Sequence, residues 1–243
     1  MTQYLGIITA YGAAAILAWL AALLYPRLIP AAAAYRIDNR WQQAGLFVLA
    51  ALLSFGIGSW QRQGLLLPVG NPLFGILSQL LIFSPILAYI ASRRSRAATL
   101  VPQRNVLRSL AIGIALALLA LGAFFSTTNG WGDLPAMVDT LAFGIDAEIL
   151  VRTLLQSFAV AAFLALLAAG WSKRVALGLA ALFILAIHVS PLLSNGFSAE
   201  WLLAVLVHLA IGLGIFSAIL ATRNIVWFWP VFAMLSLLQI HEV

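Results

Sequence analysis

The chain has 243 residues, 64% of them apolar and only 8% charged, with a formal charge of +6 and a mean hydropathy of +1.07. A soluble domain of this size is about half apolar and about a quarter charged, so too little polar surface exists here to coat a globule in water. With no cysteine, disulfides, thiolate chemistry and cysteine-ligated metal or iron–sulfur sites are excluded; the positive charge lies in short loops between apolar runs, which speaks for membrane topology and against nucleic-acid binding.

Eight apolar segments follow in chain order, at about 4–25, 44–60, 73–92, 109–128, 147–170, 175–193, 200–221 and 225–240. About 20 apolar residues cross a bilayer as a helix, and these continuous runs lack the alternation of a membrane β-barrel. The predicted fold is all-α: a polytopic transmembrane helical bundle of about eight spans, forming a single domain over residues 1–243. The first run follows Met-Thr-Gln-Tyr without a basic stretch, which reads as a first span and not as a cleaved signal peptide.

The loops set the orientation. Alternate loops carry Arg27, Arg36 and Arg40; Arg93, Arg94, Arg96, Arg104 and Arg108; Lys173 and Arg174; and Arg223, together 11 of the 13 basic residues. The opposite loops carry only Arg62, with Asp133, Asp139 and Glu200. Basic loops stay in the cytoplasm, so both termini are expected on the non-cytoplasmic side of a bacterial or organellar inner membrane. Trp41, Trp60, Trp131, Trp171, Trp201 and Trp227 fall near span ends, where amphipathic rings prefer to sit. The loop RRSRAATLVPQRNVLR reads as topology control, with an anionic-lipid patch as its alternative. In the seventh run Ala210, Gly214 and Ala218 recur every four residues, a small-residue ridge suited to close helix packing.

The fifth span opens with FGIDAEILVR, which places Asp146, Glu148 and Arg152 at its outer end. Glu148 and Arg152 share a helix face in the favourable i,i+4 order. Ionisable groups at bilayer depth are costly enough to suggest function, and a helix-locking ion pair is the alternative. His188 lies at a similar depth in the sixth span, joined to the fifth by the short WSKR turn, so Glu148, Arg152 and His188 can meet. His208 in the seventh span reads as a packing residue. His188 and His208 together would also suit axial ligation of haem or a pigment, although no other cofactor signature accompanies them. No HExxH or carboxylate-rich set appears, so no metal site is expected.

The stretches AEILVRTLL, LFILAIHVSP and GLGIFSAILATRNIVWFWPVFAMLSLL resemble the CAAX protease and bacteriocin-processing (CPBP, or Abi) family of glutamate-dependent intramembrane endopeptidases. The resemblance implies a CPBP-like four-helix core in residues 143–240, with four further spans in residues 1–142. The family pattern is EExxxR on one helix, FxxxH on the next and HxxxN on the last. Carried over, it matches Glu148, Arg152 and His188. It departs at Ala147 in place of the first glutamate, at Ile184 in place of the phenylalanine, and at Ala233 and Leu237 in place of the last His and Asn. A hydrolytic base must reach the attacking water and donors must face the oxyanion, and none of Ala147, Ala233 and Leu237 supplies either.

The resemblance therefore implies a degenerate member: a non-catalytic scaffold, adaptor or accessory subunit, binding the lipid bilayer and other integral membrane proteins and needing no cofactor. An intramembrane endopeptidase with a reworked site at Glu148, Arg152 and His188, acting on a hydrophobic peptide or membrane protein, is the enzymatic alternative. A haem- or pigment-binding subunit through His188 and His208 is the other.

Overall fold

Lipid cannot hydrogen-bond a backbone, so a chain this apolar must satisfy its amides internally. The computed structural model, which describes residues 2–67, 72–93, 96–128, 130–133, 135, 147–187 and 199–241, does so with helices. Among the described residues there are eight: α1 (Thr2–Leu24), α2 (Arg40–Arg62), α3 (Pro72–Ser92), α4 (Val106–Thr128), α5 (Ala147–Gly170), α6 (Lys173–Ile187), α7 (Ala199–Thr222) and α8 (Phe228–His241). Short 3-10 turns occupy Arg96–Thr99 and Gly130–Asp133. Each α-helix coincides with one of the apolar runs. Helices α1 to α5 and α7 are long and apolar enough to cross a membrane, which fits a multi-pass membrane protein. The described parts of α6 and α8 are 15 and 14 residues long.

Local chemistry moves some helix ends away from the edges of the apolar runs. Helix α2 begins at Arg40, ahead of its apolar run, because Asn39 caps it by accepting a hydrogen bond from the Gln42 amide at 3.1 Å. Within α3, Pro85 has no N–H to offer the Leu81 carbonyl one turn back. The Ser84 hydroxyl donates to that carbonyl instead, at 2.7 Å, so the helix continues through the proline.

Helix α1 packs along α4 and α7, α4 along α8, and α5 along both α3 and α8. Ala10, Ala14 and Ala18 form the buried edge of α1 and pack in one core with Leu116, Ala120 and Phe124 of α4 and Ile215 and Ile219 of α7. Small residues let helices approach closely where no hydrophobic force drives them together. The ridge on α7 is less uniform: Ala218 is buried in this core, whereas Ala210 is exposed. A second core joins Phe47 and Ala50 of α2, Ile86 and Tyr89 of α3, and Ala162 and Leu166 of α5. Large apolar side chains stand exposed on the outer faces, among them Trp19, Leu49, Leu52, Leu118 and Leu202. That inside-out distribution belongs to a surface in contact with lipid.

The basic loops gather at one end of the bundle. Arg40 donates to the Gly170 carbonyl at 3.2 Å, a cation against the carbonyl end of α5, and its guanidinium lies over the rings of Trp41 and Trp171. Arg223 donates to the Ala32 carbonyl, the Ala32 amide returns a bond to Arg223 at 2.9 Å, and the Ile225 amide reaches the Leu100 carbonyl at 3.1 Å. Trp227 belongs to this knot and not to the interfacial belt that its position suggests: it is fully buried, with its indole N–H bonded to the Thr222 hydroxyl at 2.9 Å. Trp41, Trp60 and Trp131 are exposed, as span-end rings should be.

Candidate functional site

Polar side chains deep in an apolar bundle must find partners or keep a wet space. Several find partners on their own helix. The fully buried Thr153 donates to the Ile149 carbonyl at 2.9 Å, and Ser157 donates to the Thr153 carbonyl at 2.8 Å. Others line a cavity of about 670 Å³ between α2, α3 and α5. Ser54, Gly58, Gln61 and Arg62 of α2, Gln79 of α3, and Arg152 and Gln156 of α5 supply its polar and small surface; Phe55, Ile82 and Phe83 supply its apolar wall.

The three helices bring these residues to a common level. At 1.5 Å per residue, Arg152 lies about 8 Å along α5 from its start, and Gln156 about 14 Å. Gln79 stands about 10 Å along α3, and Ser54 about 12 Å back from the end of α2, where Arg62 sits at the mouth. Gln61 is committed to the loop beyond α2: its amide donates to the Leu67 carbonyl at 3.1 Å and accepts from the Leu67 amide at 3.0 Å. Arg62 rests over the Phe55 ring, 5.9 Å from its centroid.

Glu148 sits above this cavity, half-buried, and turns toward α3. Its Oε1 accepts a hydrogen bond from Gln79 Nε2 at 3.0 Å, and its carboxylate lies against Gly75, filling the space that a side chain there would need. The absence of a Cβ at Gly75 is thus what lets a carboxylate enter the α3–α5 interface. Arg152, one turn along α5, opens into the cavity beside Gln79. Ala147 is exposed at the start of α5.

The other described positions that the resemblance singles out lie elsewhere. Ile184 is buried on α6 and reaches α7, where a Cβ at Gly212 would come within 2.5 Å of its Cδ1. Ala233 and Leu237 are buried on α8. His188 and Asp146 fall outside the described residues. His208 is exposed on α7, with Nδ1 2.6 Å from the Ala204 carbonyl oxygen of its own helix. No group of three or more metal-ligating side chains occurs among the described residues.

Sequence reasoning singled out Glu148 and Arg152 but missed Ser54, Gln79 and Gln156. Gln156 was within reach, since it continues the Glu148–Arg152 face by one more turn. Gln79 sits alone among apolar neighbours in LSQLL, a second signal in plain view.

The chain was compared with protein-family models, characterised proteins and solved structures, and none matches.

Proposed function

We propose that the chain is an eight-span, non-catalytic membrane protein with a degenerate CPBP-like core. In this reading it serves as a scaffold, adaptor or accessory subunit of a membrane assembly, with both termini on the non-cytoplasmic side. The orientation is supported by the clustering of Arg40, Arg223 and the Leu100 loop at one end of the bundle.

One observation carries the non-catalytic reading. The described side chains lining the cavity offer amides, a hydroxyl and guanidinium groups, and among them there is no carboxylate or imidazole. A general base must titrate near the working pH and lie within hydrogen-bond reach of its proton, and neither glutamine nor arginine does so. Glu148, a described carboxylate beside the cavity, is engaged by Gln79. The positions of the family's remaining reactive groups hold Ala147, Ala233 and Leu237, the last two buried in apolar packing.

Glu148→Gln tests this directly, because it keeps the oxygen that accepts from Gln79 and removes only the charge. In cells of the native host, quantification of membrane-protein termini is expected to give the same cleavage pattern for wild type and variant. An uncut membrane protein that accumulates both in the variant and in a strain lacking the chain would establish proteolysis and overturn the reading.

A further inference from the structure

The cavity between α2, α3 and α5 holds more hydrogen-bond donors than the described residues use. Ser54 is 6% exposed, and its hydroxyl has no hydrogen-bond partner among the described residues. Thr153 and Ser157, also buried, bond to their own helix, so the same escape was open to Ser54. A buried hydroxyl left without a partner is costly enough that most native cores avoid it. Arg152, about 8 Å inside α5, lines the same space and carries five N–H donors. No described side chain on the lining bears a negative charge to meet that guanidinium. The described carboxylate nearby, Glu148, is held toward Gly75 and Gln79 at the rim.

We propose that this cavity binds a phosphate-type oxyanion, anchored by Arg152 and completed by the Ser54 hydroxyl and the Gln156 amide. Guanidinium groups match the oxygens of phosphate with paired, charge-assisted hydrogen bonds, and the site supplies the remaining donors from two other positions. Arg62, at the mouth, adds a second positive charge on the path inward. The volume of about 670 Å³ falls within the range of sites for organic ligands and exceeds what a bare anion fills. Phe55, Ile82 and Phe83 wall the rest, and Leu52 and Leu53 continue exposed along α2. An anion carried on an amphiphile therefore uses the whole site, with its charge at Arg152 and its apolar part along the α2 face. The site stands whether or not a partner protein covers the lipid-facing surfaces.

The test uses the full chain in nanodiscs. In one arm, phosphatidylglycerol competes with phosphatidylcholine, and retained lipid is counted by native mass spectrometry. In the other, inorganic phosphate is titrated into phosphatidylcholine nanodiscs while thermal unfolding is followed. Wild type is expected to retain phosphatidylglycerol about tenfold in preference, a difference of about 1.4 kcal/mol, because its phosphate is unbalanced whereas that of phosphatidylcholine is already paired with its own choline ammonium, and Arg152→Gln to lose that preference. Ser54→Ala, a smaller change that leaves the fold in place, should weaken it without lowering stability in phosphatidylcholine. A phosphate-dependent rise in unfolding temperature that Arg152→Gln abolishes would identify a free anion as the source and also support the site. If wild type retains both lipids alike and phosphate shifts nothing, the proposal is overturned. Equal preference in wild type, Arg152→Gln and Ser54→Ala would overturn it as well.

Discussion

Asn224→Ala is expected to lower the unfolding temperature by about 6–12 °C. Asn224 is fully buried at the turn between α7 and α8. Its side-chain nitrogen donates to the Pro30 carbonyl at 2.6 Å and lies 2.8 Å from the Ser109 hydroxyl, and its oxygen accepts from the Val226 amide at 2.8 Å. One side chain thus ties the loop after α1, the start of α4 and the entry to α8. Each buried group left without its partner costs about 1–3 kcal/mol. The Pro30 carbonyl and the Val226 amide are left so, while Ser109 keeps its contact with the Asn105 carbonyl; together these give about 3 kcal/mol, and at about 2–4 °C per kcal/mol the quoted shift follows. Asn224→Asp separates the contributions, because it keeps the acceptor for Val226 and removes both donors. It should be nearly as harmful as alanine. A thermal shift of only a degree or two for Asn224→Ala would mean that the turn does not hold these loops.

Gly113→Ala should destabilise by about 3 kcal/mol, while the same change at Gly122 on the same helix should stabilise. A Cβ at Gly113 would stand 2.5 Å from the carbonyl oxygen and 2.9 Å from the Cα of Trp227. Those are backbone atoms at the entrance to α8, already fixed by Asn224 and by the Ile225–Leu100 bond, so they cannot step aside as a side-chain tip would. Overpacking of a tight interface costs about 1–3 kcal/mol, and more when backbone must move. Gly122 has nothing within 4 Å of such a Cβ, so alanine there only removes the flexibility of a helical glycine, worth about 0.5–1 kcal/mol. Opposite signs in one unfolding series are the expected result. Equal signs would mean that α4 and α8 do not meet at Gly113.

The helices were legible in the sequence because lipid makes length and hydropathy nearly sufficient to find them. Their ends were less so. Asn39 and Arg40 extend α2 through a cap and a contact with Gly170, and the 222–227 turn delays α8 to Phe228 because the Asn224 side-chain oxygen and the Trp227 indole spend their hydrogen bonds within the turn. Trp227 shows the limit of composition: an indole near a span end reads as interfacial until its neighbours are known. The face shared by Glu148 and Arg152 was equally legible from their spacing. Which helices that face meets was not, because the WSKR turn makes α6 a neighbour without saying which side of α5 it covers. The structure turns Glu148 and Arg152 toward α3 and α2. Gly75, a residue with no chemistry of its own, makes that choice possible for Glu148.

The central claim, that this chain works by association and not by catalysis, is tested most directly by what it carries out of its native membrane. Extraction into lipid nanodiscs without detergent, followed by mass measurement of the intact particle and identification of its proteins, is expected to return the 26.1 kDa chain in stoichiometric company with at least one other integral membrane protein. Glu148→Gln should return the same assembly. A particle containing one copy of this chain and lipid alone would contradict the account.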